Sequence, residues 1–265
     1  MSGKAIWDYR GQNVIVTGGT RGIGLKLTEA FLAAGAKVAI CGRKTPETLP
    51  RHGDNEAVFH SCDVRDAAAC QRFVAAVVED FGGVDVLINN AGGSPNADAA
   101  TASARFSEAI IALNLLAPLH MSQAVHAPMQ AGGGVILNIA SISSVRPSPR
   151  TAAYGAAKAG LLGLTRSLAQ EWGPNLRVNA IIVGMIGTEM ADVTYGSAAA
   201  RDDIARSIPA GRLGTGADIA AAALYLASDA AAFISGAALE VHGGGDRPLY
   251  LDILDRHAAE GAGQP

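Results

Sequence analysis

The 265-residue chain has only three cysteines, Cys41, Cys62 and Cys70, an odd set without CxxC spacing. Such a set fits reduced, buried thiols better than a disulfide framework or a zinc site. Basic charge is also scarce. The formal net charge is −3, so no surplus of Lys and Arg is available to neutralise phosphates, and nucleic acid and anionic membranes are not expected as partners. No apolar run is read as long enough for a bilayer, and the opening stretch from Met1 to Arg10 carries charges throughout. A cytoplasmic protein without a membrane partner is therefore expected. The six histidines form no HxxxH or HExxH pattern, so no metal site is expected, and His120 and His126 read as packing or surface residues of a helix. Aromatic residues amount to 5% against 49% hydrophobic, which leaves an aliphatic core to be built. There is no Pro/Ser-rich linker and no internal repeat, and the length suits one α/β domain spanning 1–265.

What is present is an alternation. Short β-rich runs occur at Val14 to Val16, Val38 to Cys41, Val58 to Ser61, Val84 to Ile88, Val135 to Ile139, Val178 to Ile182 and Leu239 to Val241. They are nearly continuous in apolar residues, as parallel strands covered on both faces should be. Between them, Gly22 to Ala34, Ala67 to Phe81, Phe106 to Met129, Ala152 to Trp172 and Ala217 to Ala227 place apolar residues at helical spacing. The expected fold is α/β, a single doubly wound Rossmann domain with a seven-stranded parallel sheet flanked by helices on both faces. From Gly245 the pattern is lost, and residues 245–265 read as a C-terminal arm or tail, either an arm or a partly disordered segment.

Three groups of residues carry chemistry. The strand ending at Thr17 runs into Gly18, Gly22 and Gly24 and then a helix, which directs free backbone N–H groups and a helix N-terminus at an anion such as a pyrophosphate. A glycine-rich turn alone serves tight strand-to-helix packing equally well. Tyr154 and Lys158 lie four apart at the start of a helical pattern, so they share one face. An ammonium beside a phenol favours phenolate and tunes a poor proton exchanger toward neutral pH. Ser141 follows a buried strand at the carboxyl edge of the sheet, where its hydroxyl could donate to a developing oxyanion or simply cap the strand.

Taken together, Thr17 to Gly24, Cys62-Asp63-Val64, Asn89-Asn90-Ala91-Gly92, Asn114, Asn138 to Ser141, Tyr154-x-x-x-Lys158, Val178-Asn-Ala180, Ile186-Gly-Thr188 and Gly236 to Gly244 resemble the short-chain dehydrogenase/reductase family, in the same order along nearly the whole chain. The resemblance implies a catalytic set of Ser141, Tyr154, Lys158 and Asn114, the last holding a water that connects the lysine to solvent. It implies a cofactor site of Gly18, Thr20, Arg21, Gly22, Ile23, Gly24, Arg43, Asp63, Val64, Asn90, Ala91, Gly92, Tyr154, Lys158, Ile186 and Thr188. Asp63 and Val64 would flank the adenine, Asn90 and Ala91 line the adenosine side, and Thr188 reach the nicotinamide amide. It also implies a homotetramer or homodimer. An NAD site places an acid about twenty residues past the glycine turn. Here that position is Gly42, followed by Arg43, with Arg21 inside the turn. Two guanidinium groups and no acid favour NADP(H), with NAD(H) second.

Two positions depart from the family pattern: Val183-Gly184 replaces Pro-Gly, and His242-Gly-Gly replaces Asp-Gly-Gly, the latter read as a structural or assembly position. The substrate side should comprise Gly93 to Arg105, Ile142 to Arg150 and Met185 to Ala210. Met185, Met190, Val193, Tyr195 and Ile208 suggest an apolar pocket there, and Arg146 and Arg150 are either solvated or meet phosphates of a carrier-linked acyl chain. The expected activity is NADPH-dependent interconversion of a ketone and a secondary alcohol, with 3-oxoacyl thioesters and alicyclic or steroid-like ketones among the candidates. A catalytically silent NADP-binding regulatory protein is the alternative. An epimerase or dehydratase on a related fold would need a longer C-terminal domain. Small residues on the helix Ala152 to Trp172, among them Ala153, Gly155, Ala156, Ala157, Ala159 and Gly160, would admit a second helix from a neighbouring subunit or pack within one subunit.

Overall fold

Val14, Ile15 and Val16 are wholly inaccessible to solvent, as a strand covered on both faces requires. A computed structural model describes residues 5–262. Its strands and helices run β1 (Asn13–Thr17), α1 (Gly22–Ala33), β2 (Lys37–Gly42), β3 (Arg51–His52), β4 (Asn55–Glu56), β5 (Val58–Ser61), α2 (Ala67–Phe81), β6 (Val86–Asn89), α3 (Ala104–Ile111), α4 (Ala117–Met129), β7 (Gly134–Ile139), α5 (Ala152–Trp172), β8 (Leu176–Val183), α6 (Ala191–Tyr195), α7 (Ala198–Ser207), α8 (Gly216–Ala227), β9 (Ala238–Val241) and α9 (Leu249–Ala262). Seven strands form one sheet in the order β5-β2-β1-β6-β7-β8-β9, every pair parallel. The chain leaves β1 in one direction and returns on its other side at β6, so a crevice opens between the carboxyl ends of these two strands.

Alternation within β1 divides the core. Val14 and Val16 face α1 and α8, where Leu27, Phe31, Ile219 and Ala223 pack. Ile15 faces α2, α4 and α5, against Val74, Met121, Val125 and Leu168. Phe31 is fully buried, and truncating a side chain of that size in a core costs about 3–5 kcal/mol. Helix starts follow local chemistry: the Asp66 carboxylate accepts from the N–H groups of Ala68 and Ala69 at the head of α2, and Thr215 and Asp218 form a reciprocal cap on α8.

All seven expected strands are present, although β6 begins two residues later than the Val84 start read from the sequence. The expected helix Phe106 to Met129 is a continuous helical run from Ala104 to Met129, broken in character by a π-turn at Ala112–Leu116. This run has a mean hydropathy of 1.2 over its most apolar window and, by length and composition, could cross a membrane. That corrects the expectation that no segment is so apolar. Its apolarity has a local use, because Pro118, Met121, Ser122, Val125 and Met129 are buried against the sheet and α2.

Within the stretch read as a C-terminal arm or tail, residues 249–262 form the helix α9, while the final residues of the Gly-Ala-Gly-Gln-Pro terminus, 263–265, lie outside the described residues. Small α6 and α7 and the β3–β4 hairpin were not expected from the sequence, since each is too short to carry a periodic apolar face.

Candidate active site

The glycine turn is shaped by contact rather than by flexibility alone. A Cβ at Gly24 would lie 2.2 Å from the Gly18 carbonyl oxygen, and one at Gly19 would lie 2.5 Å from the Ile40 side chain. Thr28 Oγ1 donates to the Gly24 carbonyl at 2.9 Å and reaches that of Gly19 at 3.2 Å, clamping the turn onto α1. Gly18 and Gly22 both adopt positive φ, which side-chain-bearing residues rarely take. The Gly18 N–H donates to the Cys41 carbonyl, while the Gly22 N–H points outward and donates to a Glu189 carboxylate oxygen at 2.9 Å. The turn therefore already holds an anionic oxygen on a backbone donor at a helix N-terminus, and its residues fit a pyrophosphate.

Across the crevice, Thr17 Oγ1 accepts from the N–H groups of both Asn90 and Ala91 at 2.9 Å, and Asn90 Nδ2 returns to the Thr17 carbonyl at 2.9 Å. These bonds fix Asn90, Ala91 and Gly92 beside Gly18. Sequence reading missed Thr17, whose signal was a threonine at the strand end facing the expected loop. It also missed the buried network below, in which Asn89 Nδ2 donates to Asn138 Oδ1 at 2.9 Å and Asn138 Nδ2 donates to Thr165 Oγ1 at 3.0 Å.

At the outer end, Asp63 is held by Arg65, whose guanidinium draws the carboxyl below its ordinary range, with Arg43 near enough to add to the effect. Val64 is buried beside Cys62. Arg21 caps α1 through its extended backbone without a side-chain bond, and Arg21 and Arg43 are exposed and in no ion pair among the described residues. Thr20 and Ile23 complete the turn.

The proposed catalytic set converges at the carboxyl ends of β6, β7 and β8. Tyr154 and Lys158 lie one turn apart on α5, with Lys158 Nζ 5.8 Å from the centre of the Tyr154 ring. Lys158 is buried, and Nζ donates to the Ile139 carbonyl at 2.7 Å. Burial lowers its pKa to about 8. Burial pushes the Tyr154 phenol up, while a hydrogen bond with Ser141 pulls the other way and nearby Tyr195 adds to the rise. Ser141 opens a 3-10 turn, Ile142–Ser144, where its Oγ also accepts from the Ser143 N–H at 3.2 Å.

Asn114 sits in the π-turn, fully buried. Its Oδ1 accepts from Gly93 N–H, and its Nδ2 donates to the carbonyls of Gly93 and Ile110, all at 2.9 Å. A Cβ on Gly92 would meet Asn114 Oδ1 at 2.8 Å and Lys158 Nζ at 3.4 Å, so Gly92 lies between the loop, the asparagine and the lysine. The extra residue of the π-turn is what turns Asn114 toward this loop.

After β8, Ile186 pairs with Gly214 and its N–H donates to the Tyr195 hydroxyl at 3.1 Å. Thr188 Oγ1 accepts from Met190 N–H at 3.3 Å, and Thr188 and Glu189 both approach Gly22. The two departures from the family pattern touch one another: a Cβ on Gly184 would lie 2.5 Å from His242 Cβ, and Gly184 N–H donates to the Val241 carbonyl.

The expected apolar pocket is only partly assembled. Tyr195 packs against Ile186, but Val193 is 79% exposed and Ile208 is buried beneath Gly243 instead. Arg146 is neither simply solvated nor free for a phosphate, because it pairs with Asp246 at the start of the tail. Arg150 is exposed at positive φ, with its carbonyl accepting from Ala97 N–H. On α5, Gly155 packs on Ser148 and Gly160 on Leu115 within the subunit, whereas Ala156 and Ala159 face outward.

The family model described as Enoyl-(Acyl carrier protein) reductase matches residues 18–245. A short-chain type dehydrogenase/reductase of Sinorhizobium fredii is 37% identical over 247 residues, covering 89% of this chain and 97% of the relative. The 3-oxoacyl-[acyl-carrier-protein] reductase of Chlamydia trachomatis is 35% identical over 241 residues, covering 88% and 96%. Among solved structures, ligand-free aldohexose dehydrogenase of Thermoplasma acidophilum superposes with a TM-score of 0.83 at 28% identity, covering 91% of this chain and 96% of that one.

Proposed function

The chain belongs to the short-chain dehydrogenase/reductase family, and from that premise we propose that this oxidoreductase interconverts a ketone and a secondary alcohol with NADP(H) as its preferred cofactor. The observation that carries the reading is the convergence of Ser141, Tyr154 and Lys158 beside a turn that already binds an anionic oxygen.

When bound, the reduced nicotinamide supplies hydride to the carbonyl carbon. The outward N–H of Gly22 and the head of α1 would receive its pyrophosphate, and Arg21 and Arg43 would take the 2′-phosphate, with no acid at Gly42 to repel it. Asp63 and Val64 would flank the adenine, Asn90 and Ala91 would line the adenosine side, Thr188 would reach the nicotinamide amide, and Gly92 and Ile186 belong to the same proposed cofactor site. Tyr154 gives its hydroxyl proton to the substrate oxygen; burial raises its pKa and makes the phenol a weaker acid, which the nearby Lys158 ammonium offsets. Ser141 donates to the same oxygen as its charge grows. Lys158 steadies the phenolate left behind and binds the nicotinamide ribose. Asn114 acts by holding the Gly92–Gly93 loop through its side chain, so any water it binds for proton resupply meets its main chain.

Support for a 3-oxoacyl thioester comes from the acyl-carrier-protein reductase relative, and an alicyclic or steroid-like ketone is the second class. The engagement of Arg146 by Asp246 leaves Arg150 as the arginine of that loop available to a carrier phosphate. A homotetramer or homodimer in the cytoplasm completes the proposal, with the outward Ala156 and Ala159 of α5 as a close-packing surface.

The test is consumption of NADPH, and separately NADH, across a panel of 3-oxoacyl thioesters, cyclic ketones and steroids. Turnover with NADPH on one class is expected. Silence on the whole panel despite tight NADPH binding would overturn the assignment.

A further inference from the structure

Between the loop after β6, the head of α3 and the start of α5 lies a pocket of about 140 Å³ whose wall includes Ser94, Phe106, Ser107, Arg150, Thr151 and Ala153. Arg150 is the one charged residue on that wall. The carboxylates nearest in sequence, Asp98 and Glu108, are not part of it, and Asp98 accepts from the Ala100 N–H instead. Arg150 joins no ion pair and no side-chain hydrogen bond among the described residues, and the Ser107 hydroxyl has no partner among them either. A small cavity with one unpaired guanidinium, one free hydroxyl and no acid suits an anionic oxygen group.

The backbone keeps Arg150 at this place against its own preference. Its φ of 67° lies in the left-handed region, the one such case outside glycine among the described residues. That conformation favours glycine, because a Cβ there crowds the following carbonyl. The Ala97 N–H donates to the Arg150 carbonyl at 2.8 Å, and the Thr151 N–H donates to the Ser148 carbonyl at 3.1 Å, so the strained turn is tied on both sides. A glycine would relieve the strain and leave the pocket without its cation.

The pocket is also joined to the reacting groups. Ser148 Oγ donates to Ser143 Oγ at 3.1 Å, so in the 2.7 Å contact between Ser148 Oγ and Thr151 Oγ1 the threonine is the donor. The Ser143 N–H donates in turn to Ser141 Oγ at 3.2 Å. Ala153 on the wall directly precedes Tyr154, and Ser94 directly follows Gly93, which the Asn114 side chain clasps. Arg150 and Tyr154 are four residues apart, a Cα-to-Cα span of at most about 14 Å, so an anion on the arginine and a ketone at the tyrosine belong to one small molecule. At ~30 Å³ for each water-sized group, the pocket holds roughly four or five of them. That is a carboxylate with a methylene or two, not a steroid, and a carrier phosphate stands at the far end of a long arm from its thioester.

On the basis of the ketone-reductase reading, we propose that this pocket is the anion subsite of the substrate: Arg150 and Ser107 hold the carboxylate of a short-chain keto acid while Ser141 and Tyr154 address its ketone. In the oxidative direction the same subsite takes the hydroxy acid.

The test compares each acid with its own methyl ester, which keeps the ketone and removes the charge. 3-Oxobutanoate, 4-oxopentanoate, 5-oxohexanoate and their methyl esters are assayed with NADPH and NADH, alongside acetoacetyl-CoA, on the wild type, Arg150→Gly and Arg150→Lys. At least one acid should show a KM at least about tenfold below that of its ester. Arg150→Gly suits the left-handed backbone, so its Tm should not fall. It should cut the acid-over-ester ratio of kcat/KM at least about tenfold, with the change in KM, and Arg150→Lys should restore part of the ratio. Equal kcat/KM for acids and esters, or an acid preference that survives in Arg150→Gly, would overturn the proposal. Turnover of acetoacetyl-CoA that exceeds that of every free acid and falls in Arg150→Gly would put a carrier phosphate on Arg150 and overturn the carboxylate assignment as well. If no ketone of either kind is reduced, the reductase reading fails, and the subsite is decided by calorimetric titration of nucleotide-free protein with 3-hydroxybutanoate and with its methyl ester. Binding of the acid alone, lost in Arg150→Gly, is then expected, and no difference between acid and ester or between the two proteins would contradict the subsite.

Discussion

Glu189 places a carboxylate oxygen 2.9 Å from the backbone nitrogen of Gly22, spanning from the loop after β8 to the head of α1. The carboxylate occupies the end of a helix that favours negative charge, on the donor that a pyrophosphate would use. Nucleotide binding must then displace it. Glu189→Gln keeps the size and weakens the competitor, so NADPH should bind about two- to tenfold more tightly by calorimetric titration. Weaker binding would mean that Glu189 assists the cofactor instead.

Lys158 is costly to the fold. Its pKa falls from 10.5 to about 8 through burial, so below about pH 8 both folded and unfolded chains hold the proton and the folded one carries a desolvated charge. Between about 8 and 10.5 the unfolded chain keeps a proton that the folded chain has lost, and stability rises with pH across that window. Lys158→Met should therefore raise the Tm of nucleotide-free protein by roughly 3–8 °C at pH 7 while abolishing turnover. The gain should shrink by pH 10. A Tm that falls, or a gain independent of pH, would contradict this.

Arg43 is the residue on which the proposed preference for NADP(H) turns. Arg43→Asp puts an acid one residue past Gly42 and should weaken NADPH binding at least about tenfold while leaving NADH binding within about threefold. The NADPH affinity of the wild type should also fall with added salt more steeply than its NADH affinity. Equal losses for both nucleotides would remove Arg43 from the 2′-phosphate.

Asn114→Ala should destabilise the protein by about 1–3 kcal/mol, because three buried bonds to Gly93 and Ile110 are lost at once. Urea denaturation measures the loss. A change below about 0.5 kcal/mol would show that the Gly92–Gly93 loop is held by something else.

The elements legible in the sequence are those with long, uniform patterns. The near-continuous apolar run Val135 to Ile139 and the helical spacing of Ala152 to Trp172 lead to the observed β7 and α5, since burial on both faces or on one stripe leaves a periodic trace. The Tyr154–Lys158 pairing was legible because it is local, one helical turn. What was not legible depends on contacts between distant segments. The Glu189–Gly22 bond spans 167 residues, and the Arg146–Asp246 pair joins a loop to the stretch read as a C-terminal arm or tail. The π-turn at Asn114 leaves no periodic mark, because apolar residues flank it on both sides from Ala109 to Leu119. The contact of Gly184 with His242, two separate departures from the family pattern, became one feature only when β8 and β9 were seen side by side.

The central claim is that Tyr154 donates the proton as the carbonyl is reduced, and Tyr154→Phe tests it most directly. Single-turnover reduction of the best ketone by protein-bound NADPH should slow by at least about a thousandfold in the variant, with NADPH affinity within about threefold of the wild type. A variant that binds NADPH normally and still reduces the ketone within about tenfold of the wild-type rate would contradict the account.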